Sequence, residues 1–465
     1  MVFSSIVFLF YFFPVLLLLY FIAPKRLKNL VLLLASLTFY AWGEVRFLFV
    51  MLILSLVDYF CGRAIDKYRQ NSKKVKLYWL IDVLANFGVL LFFKYADFFL
   101  GNINLLFGLD IPLFMMPLPI GVSFNTFQSI SYITDVKRQT TKSEPSYYNY
   151  LTYTTLFPQI IAGPIVRYVT VENELEIRPL RLDNAVLGLK RFLIGLGKKV
   201  LLANNIGLLW EAAQNAKASE ASVLFSWMGI IAFAFQIYFD FSGYSDMAIG
   251  IARILGMYFD ENFNYPYISK SITEFWRRWH MTLSAWFRDY VYIPLGGNRK
   301  GKWVMLRNIL IVWGLTGFWH GASWNFLLWG VYFGILLALE KFLLLKPLTK
   351  APSIVSRLYT CFFVLIGWVL FSFEDMRIMG TYFARMFGVG TPVVNTSALY
   401  YLRNYAFLFT VSTLCCTPFF KRISERFKRM KAANALSIVG YVALFFVTVA
   451  YLVNSTYNPF LYFRF

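Results

Sequence analysis

The chain has 465 residues, of which 59% are hydrophobic, 20% aromatic and only 15% charged. Those proportions exclude an ordinary soluble enzyme and fit a polytopic membrane protein, because apolar runs of spanning length recur from Phe3 to Tyr451 and leave room for roughly 10 to 12 crossings. Lys and Arg number 45 against 24 acidic residues, a net charge of +21; the surplus sits in short loops between apolar runs, as cytoplasmic loops require, and not in a nucleic-acid-binding pattern.

The first apolar run, Ile6 to Ala23, is followed by Lys25, Arg26 and Lys28. It has no basic stretch before it and no small-residue cleavage pattern, so it reads as a first transmembrane helix with an external N-terminus and not as a removable signal. Gly43 to Arg46 is an external turn, and Arg63, Lys67, Arg69, Lys73, Lys74 and Lys76, opposed only by Asp66, mark a cytoplasmic loop. Residues 77–100 cross outward, and a segment containing Pro, Gly and Ser returns to Lys137, Arg138 and Lys142. Residues 154–168 (TTLFPQIIAGPIVRY) and 291–298 (VYIPLGGN) break apolar runs with prolines and glycines. Broken backbone at membrane depth must be buried in protein or line a wet cavity, so both predict re-entrant segments. Near the end, Lys421, Arg422, Arg426, Lys428, Arg429 and Lys431 against Glu425 mark another cytoplasmic loop. Residues 435–453 then cross outward and leave the Asn458-Pro459-Phe460 tail outside the cytoplasm. No repeat is visible, and the expectation is one membrane-embedded domain over residues 1–465.

Two histidines are present, His280 and His320. His320 lies in GLTGFWHGASWNFLLWG (314–330), where Gly317, Gly321, Ala322 and Ser323 leave room for close helix approach. An ionisable residue in an apolar membrane segment is a functional candidate. Desolvation disfavours an imidazolium, so the expectation is a neutral base able to accept a proton at pH 7. The alternative is a core histidine that bridges two helices. Ser323, three residues on, would share its helical face and is read as packing. His280 belongs to TEFWRRWHMTLSAWFRDY (273–290). Read as one helix, this segment places Arg277, His280, Ser284 and Arg288 on a polar stripe and Trp276, Trp279, Leu283, Trp286, Phe287 and Tyr290 on another face. The stripe either lines a cavity or faces headgroups.

Asp240 and Asp246 interrupt an otherwise apolar stretch, 235–256. Six residues apart on a helix, they point about 120° from each other and form no acid/base dyad. They read as structural anchors that accept hydrogen bonds from Arg or from broken backbone, or orient a histidine. The four cysteines, Cys61, Cys361, Cys415 and Cys416, show no disulfide or zinc spacing. No metal-ligand pattern, phosphate loop or serine-hydrolase elbow accompanies them.

PQIIAGPIVRY, DFSGYSDMAIGIARILG, NFNYPYISKSITEFWRRWHMTLSAWFRDYVYIPLGGNRKG and TGFWHGASWNFLLWG, spread over residues 158–330, together with the closing NPFLYFRF, resemble the bacterial membrane-bound O-acyltransferases (MBOAT) of the alginate O-acetyltransferase type. The resemblance implies an all-α ring of transmembrane helices with re-entrant and interfacial helices around a central funnel. It also implies acyl transfer from a cytoplasmic thioester such as acetyl-CoA, with no permanently bound cofactor and no metal. Its near-invariant histidine maps onto His320 and its second motif histidine onto His280, with Arg277, Ser284, Arg288, Asp240, Asp246, Trp319 and Asn325 expected around the cavity. It implies a location in the cell membrane, export toward polysaccharide hydroxyls and an extracytoplasmic SGNH-hydrolase-like partner. Eight Lys/Arg between Lys270 and Arg307 against Glu274 and Asp289 are explained either by the positive-inside rule or by attraction of coenzyme A phosphates. Two alternatives stand beside this reading: a D-alanyl exporter for teichoic acid, and a transporter or export scaffold without chemistry.

Overall fold

A computed structural model describes residues 1–161, 163–178, 180–427, 431–454 and Leu461, with side chains omitted for 431–434. Its described residues form helices joined by turns, with no strand. The Asn458-Pro459-Phe460 segment of the tail and Lys428 and Arg429 of the last basic loop lie outside the described residues. The backbone groups into two compact units, Met1–Phe192 with Met247–Asp260, and Leu193–Asp246 with Glu261–Phe465.

In the first unit, α1 (Phe13–Ile22) and α2 (Lys28–Ala41) precede the long hairpin of α3 (Val45–Lys67) and α4 (Ser72–Phe107). The Asn71 side chain caps α4 by accepting from the Lys74 N–H at 3.1 Å. Helix α5 (Val122–Arg138) packs on both arms of this hairpin and is buried from Val122 to Val136, which explains its run of Ser, Thr, Asn and Gln: each polar group faces protein and not lipid. The chain continues through α6 (Tyr147–Thr155), a single turn α7 (Phe157–Ile160) and α8 (Tyr168–Glu176). The predicted break between 154 and 168 is real, and its described residues Leu156 to Ile161 and Ile165 to Val166 are buried, as freed backbone groups in a membrane require.

Helix α9 (Leu182–Gly197) leads through a π-turn, Lys198–Ala203, to α10 (Asn204–Gln214) and α11 (Val223–Ile254). In the second unit, α12 (Ile272–Arg278) and α13 (Met281–Phe287) are short. They are followed by the hairpin of α14 (Lys302–His320) and α15 (Trp324–Leu339), then α16 (Leu345–Lys350), α17 (Ser353–Ser372), α18 (Met376–Met386), α19 (Thr396–Cys415), α20 (Phe419–Phe427) and α21 (Lys431–Asn454). Helix α15 packs on α14, α12 and α17.

Seven described helical stretches are long and apolar enough to cross a membrane, fewer than the 10 to 12 crossings read from the sequence. The difference lies in shorter or more polar helices: α2 has 14 residues, and α14 carries Lys302, Arg307, Asn308 and His320 over its 19. The four cysteines are free, two of them buried and two half-buried.

Candidate active site

The segment 273–290 is not one helix. It breaks at Trp279–His280, where Trp279 is extended (φ −104°, ψ 128°) and His280 takes a left-handed conformation (φ 44°, ψ 56°), a costly geometry for a residue with a Cβ. Residues 262–264 satisfy the backbone groups that the break frees. The Asn262 carbonyl accepts from Met281 N–H at 2.9 Å, and Asn264 N–H donates to the Arg278 carbonyl at 2.9 Å.

The same strand of chain fixes the His280 ring. Asn262 Oδ1 lies 3.0 Å from His280 Nδ1 and accepts from Thr282 Oγ1 at 3.0 Å and Thr282 N–H at 3.4 Å. A backbone N–H can only donate, so that amide atom is the oxygen and His280 Nδ1 carries the proton facing it. Nε2 is therefore the lone-pair nitrogen of the neutral ring. The other end of Asn262 donates to Ser245 Oγ at 3.0 Å. Burial holds His280 below the ordinary imidazole range.

His320 is the last residue of α14. The approach of α14 to α15 is backbone on backbone: a Cβ on Gly317 would sit 2.3 Å from the Phe326 carbonyl oxygen, and one on Gly330 2.4 Å from that of Trp313. The turn Gly321–Ser323 then separates the helices, so Ser323 does not share a helical face with His320. The His320 ring meets Trp319, Trp329 and Phe371 edge-on at centroid distances of 4.8, 5.0 and 5.2 Å.

Both histidines line one cavity of about 240 Å³, together with Arg277, Ser284 and Arg288 and with Trp276, Trp279, Leu283, Phe287 and Trp313. Polar and aromatic residues that a straight helix would hold on opposite faces thus meet around the same space, because the break re-aims α13. Arg277 and Arg288 are exposed and are the only charged side chains in this lining; Arg288 Nε also donates to Asp289 Oδ1 at 2.7 Å.

The other expected residues sit behind the cavity or away from it. Trp319 is buried between the two imidazoles, 6.2 Å from His280. Asn325, fully buried, donates to the carbonyls of Leu370 and Phe371 at 3.3 and 3.1 Å and so seats Phe371 beside His320. Asp240 forms a buried ion pair with Lys199 at 2.7 Å and accepts from Leu461 N–H at 2.9 Å. Asp246 pairs with Lys198 at 2.6 Å. Neither carboxylate lines the cavity.

Sequence reasoning missed three supports. Asn262 is 18 residues from the histidine it holds. Buried Asn308 donates to the Gly297 carbonyl at 3.0 Å and ties down the 291–298 turn, whose Tyr292 lines the cavity. Buried Glu340 accepts from Ile272 N–H at 2.6 Å and from Thr273 N–H and Oγ1 at 2.8 and 2.7 Å, capping α12 from another helix. Only NFNYP, next to the histidine motif, hinted at the first.

Residues 34–382 match the membrane-bound O-acyltransferase family. The chain is a membrane-bound O-acyltransferase. This O-acyltransferase is 37% identical to the probable alginate O-acetylase AlgI of Pseudomonas putida over an alignment of 491 positions covering 100% of both chains. It is 36% identical to the peptidoglycan O-acetyltransferase of Helicobacter pylori over 81% of its own length and 78% of that protein's. The teichoic acid D-alanyltransferase of Bacillus subtilis is more distant, 30% identical over 54% of this O-acyltransferase and 68% of that chain. An apolar-walled cavity with two imidazoles suits such an enzyme, since transfer of an acyl group to a hydroxyl needs a proton acceptor and exclusion of water.

Proposed function

We propose that this O-acyltransferase moves an acyl group, acetyl in keeping with the O-acetylating relatives named above, from a cytoplasmic thioester of the acetyl-CoA type toward hydroxyls of an exported cell-envelope polysaccharide. The observation that carries the reading is the convergence of His280 and His320 on one cavity bearing two guanidiniums and aromatic walls. His320 is the general base. As the acceptor oxygen attacks the thioester carbonyl carbon, its proton passes to the His320 imidazole; the C–S bond then breaks and the leaving sulfur takes that proton back. His320 stands in the last turn of α14, where the helix dipole favours the positive charge that the ring acquires in between. His280, with Nδ1–H given to Asn262, offers Nε2 as an acceptor for a neighbouring hydroxyl of the polyol acceptor, which orients the attacking one while its proton goes to His320. Arg277 and Arg288 face the anionic phosphates of the donor.

We assign the chain to the cell membrane with both termini extracytoplasmic, and place an SGNH-hydrolase-like partner between it and the final polymer. A D-alanyl exporter is the weaker reading because the teichoic acid relative aligns with little more than half of the chain. The test is to quantify ester-linked acyl groups on purified envelope polysaccharides from cells carrying the wild type or His320→Ala. Loss of those esters is expected; wild-type ester content with His320→Ala would remove the proposed role.

A further inference from the structure

Far from the histidine cavity in the chain, the first unit buries two carboxyls against each other. Asp58 lies on α3 and Asp82 on α4, each about ten residues from the turn that joins the arms of the hairpin, so the two are level at about 15 Å along helices that are both long and apolar enough to span. That depth is close to the middle of a hydrocarbon core of roughly 30 Å. Both carboxyls are fully buried, and Asn86, one turn beyond Asp82 on α4, donates to Asp58 Oδ1 at 2.7 Å and to the Asp82 carbonyl at 3.1 Å, which makes the two acids neighbours.

Their surroundings differ sharply. Asp58 accepts from Asn86 Nδ2 at 2.7 Å, Ser129 Oγ at 2.6 Å and Tyr150 OH at 3.0 Å, donors from α4, α5 and α6. That set of three donors is what a buried anion requires. Neither oxygen of Asp82 receives an N–H or O–H from any described residue. The neighbouring Asn86 is fully buried, turns its NH₂ toward Asp58, and its own Oδ1 is likewise unpartnered. The other titratable groups facing the pair are Cys61 on α3, Tyr132 on α5 and Tyr150 on α6. No described Lys, Arg or His makes an ion pair or hydrogen bond with either carboxyl.

We propose that Asp58 and Asp82 are a mid-membrane proton-binding site, in which Asp82 retains one proton and donates it to the Asp58 carboxylate. Two neighbouring carboxylates, fully buried and without a cation, cannot both be charged. The donor count decides which one is neutral. A monovalent metal ion fits the site less well, because the groups around Asp58 present hydrogens to it and not lone pairs. The site has no part in the acyl-transfer chemistry proposed above, and its test does not depend on that chemistry.

Because the native state holds a proton that an unfolded Asp releases above about pH 3.9, stability falls as pH rises from there toward the pH at which the native pair lets it go. Infrared spectra of the full chain in nanodiscs at neutral pH should show a protonated-carboxyl C=O band that persists to alkaline pH and is lost in Asp82→Asn. Asp82→Asn should melt at or above the wild-type temperature, the more so at alkaline pH, whereas Asp58→Asn should melt lower because it removes the acceptor of three donors. Should Asp82→Asn fail to fold, Asp82→Ser and the wild-type band itself serve. No such band in the wild type at neutral pH, or one unchanged by replacing Asp82, would overturn the proposal. So would a melting temperature that depends on sodium when it replaces choline at constant ionic strength.

Discussion

At the scale of single residues, the neutral imidazole of His280 makes two predictions. Its native protonation is suppressed by burial, so below about pH 6.5 the unfolded chain takes up a proton that the native one does not. Stability contributed by the buried neutral ring is therefore present above that pH and lost as pH falls, and thermal melts of His280→Gln should show a flatter acid limb than the wild type. Asn262 acts through His280: Asn262→Leu should lower the transfer rate by up to about 10²-fold with little change in donor KM, because it frees the ring from its set tautomer and angle. Asn262→Asp, which keeps an oxygen toward Nδ1, should recover part of that rate. A KM effect as large as the rate effect would assign Asn262 to binding instead. Both histidines are legible in the sequence because rare polar residues in apolar runs stand out. Asn262 is not, since its role depends on a return of the chain that no local spacing encodes.

The elements show why periodicity succeeded for some helices and failed at the site. The hairpin of α14 and α15 is written in its glycines: with no side chain at Gly317 or Gly330 the backbones touch, and any larger residue pushes them apart. Gly317→Leu should cost about 1–3 kcal/mol or more and displace His320, measurable as a lower melting temperature together with reduced transfer. The segment 273–290 has good helical periodicity, yet it breaks at His280 because tertiary hydrogen bonds from 262–264 take over the backbone groups there. Glu340 completes this arrangement by capping α12 from α15's C-terminal extension. Glu340→Gln leaves only one acceptor oxygen for three donors, and should cost about 1–3 kcal/mol in stability while shifting Arg277 and Trp276 at the cavity wall. Unchanged stability and transfer in that variant would show that the cap is dispensable. Asp240 and Asp246 illustrate the reverse case. Their anchoring role was readable from their separation on the helix, but their lysine partners, on the π-turn 198–203, were not.

For the molecule as a whole, hydropathy and loop charge gave the helical membrane class, while packing made the number of crossings harder to count. Helices buried inside the protein need not be apolar, and α5 is the clearest example: 17 residues, buried through Val136 and rich in Ser, Thr and Asn. Topology remains a matter of charge, so cysteines placed in the turn around residues 68–71 should resist an impermeant thiol reagent applied to intact cells. Labelling there would invert the orientation. The account rests most heavily on His320 as the proton acceptor for acyl transfer. Single-turnover transfer from radiolabelled acetyl-CoA to a small polyol acceptor, with wild-type and His320→Ala protein in nanodiscs and folding verified by monodisperse elution, tests it directly. A loss of about 10²- to 10⁴-fold in a folded His320→Ala protein is the predicted result; a wild-type rate from that same folded variant would contradict it.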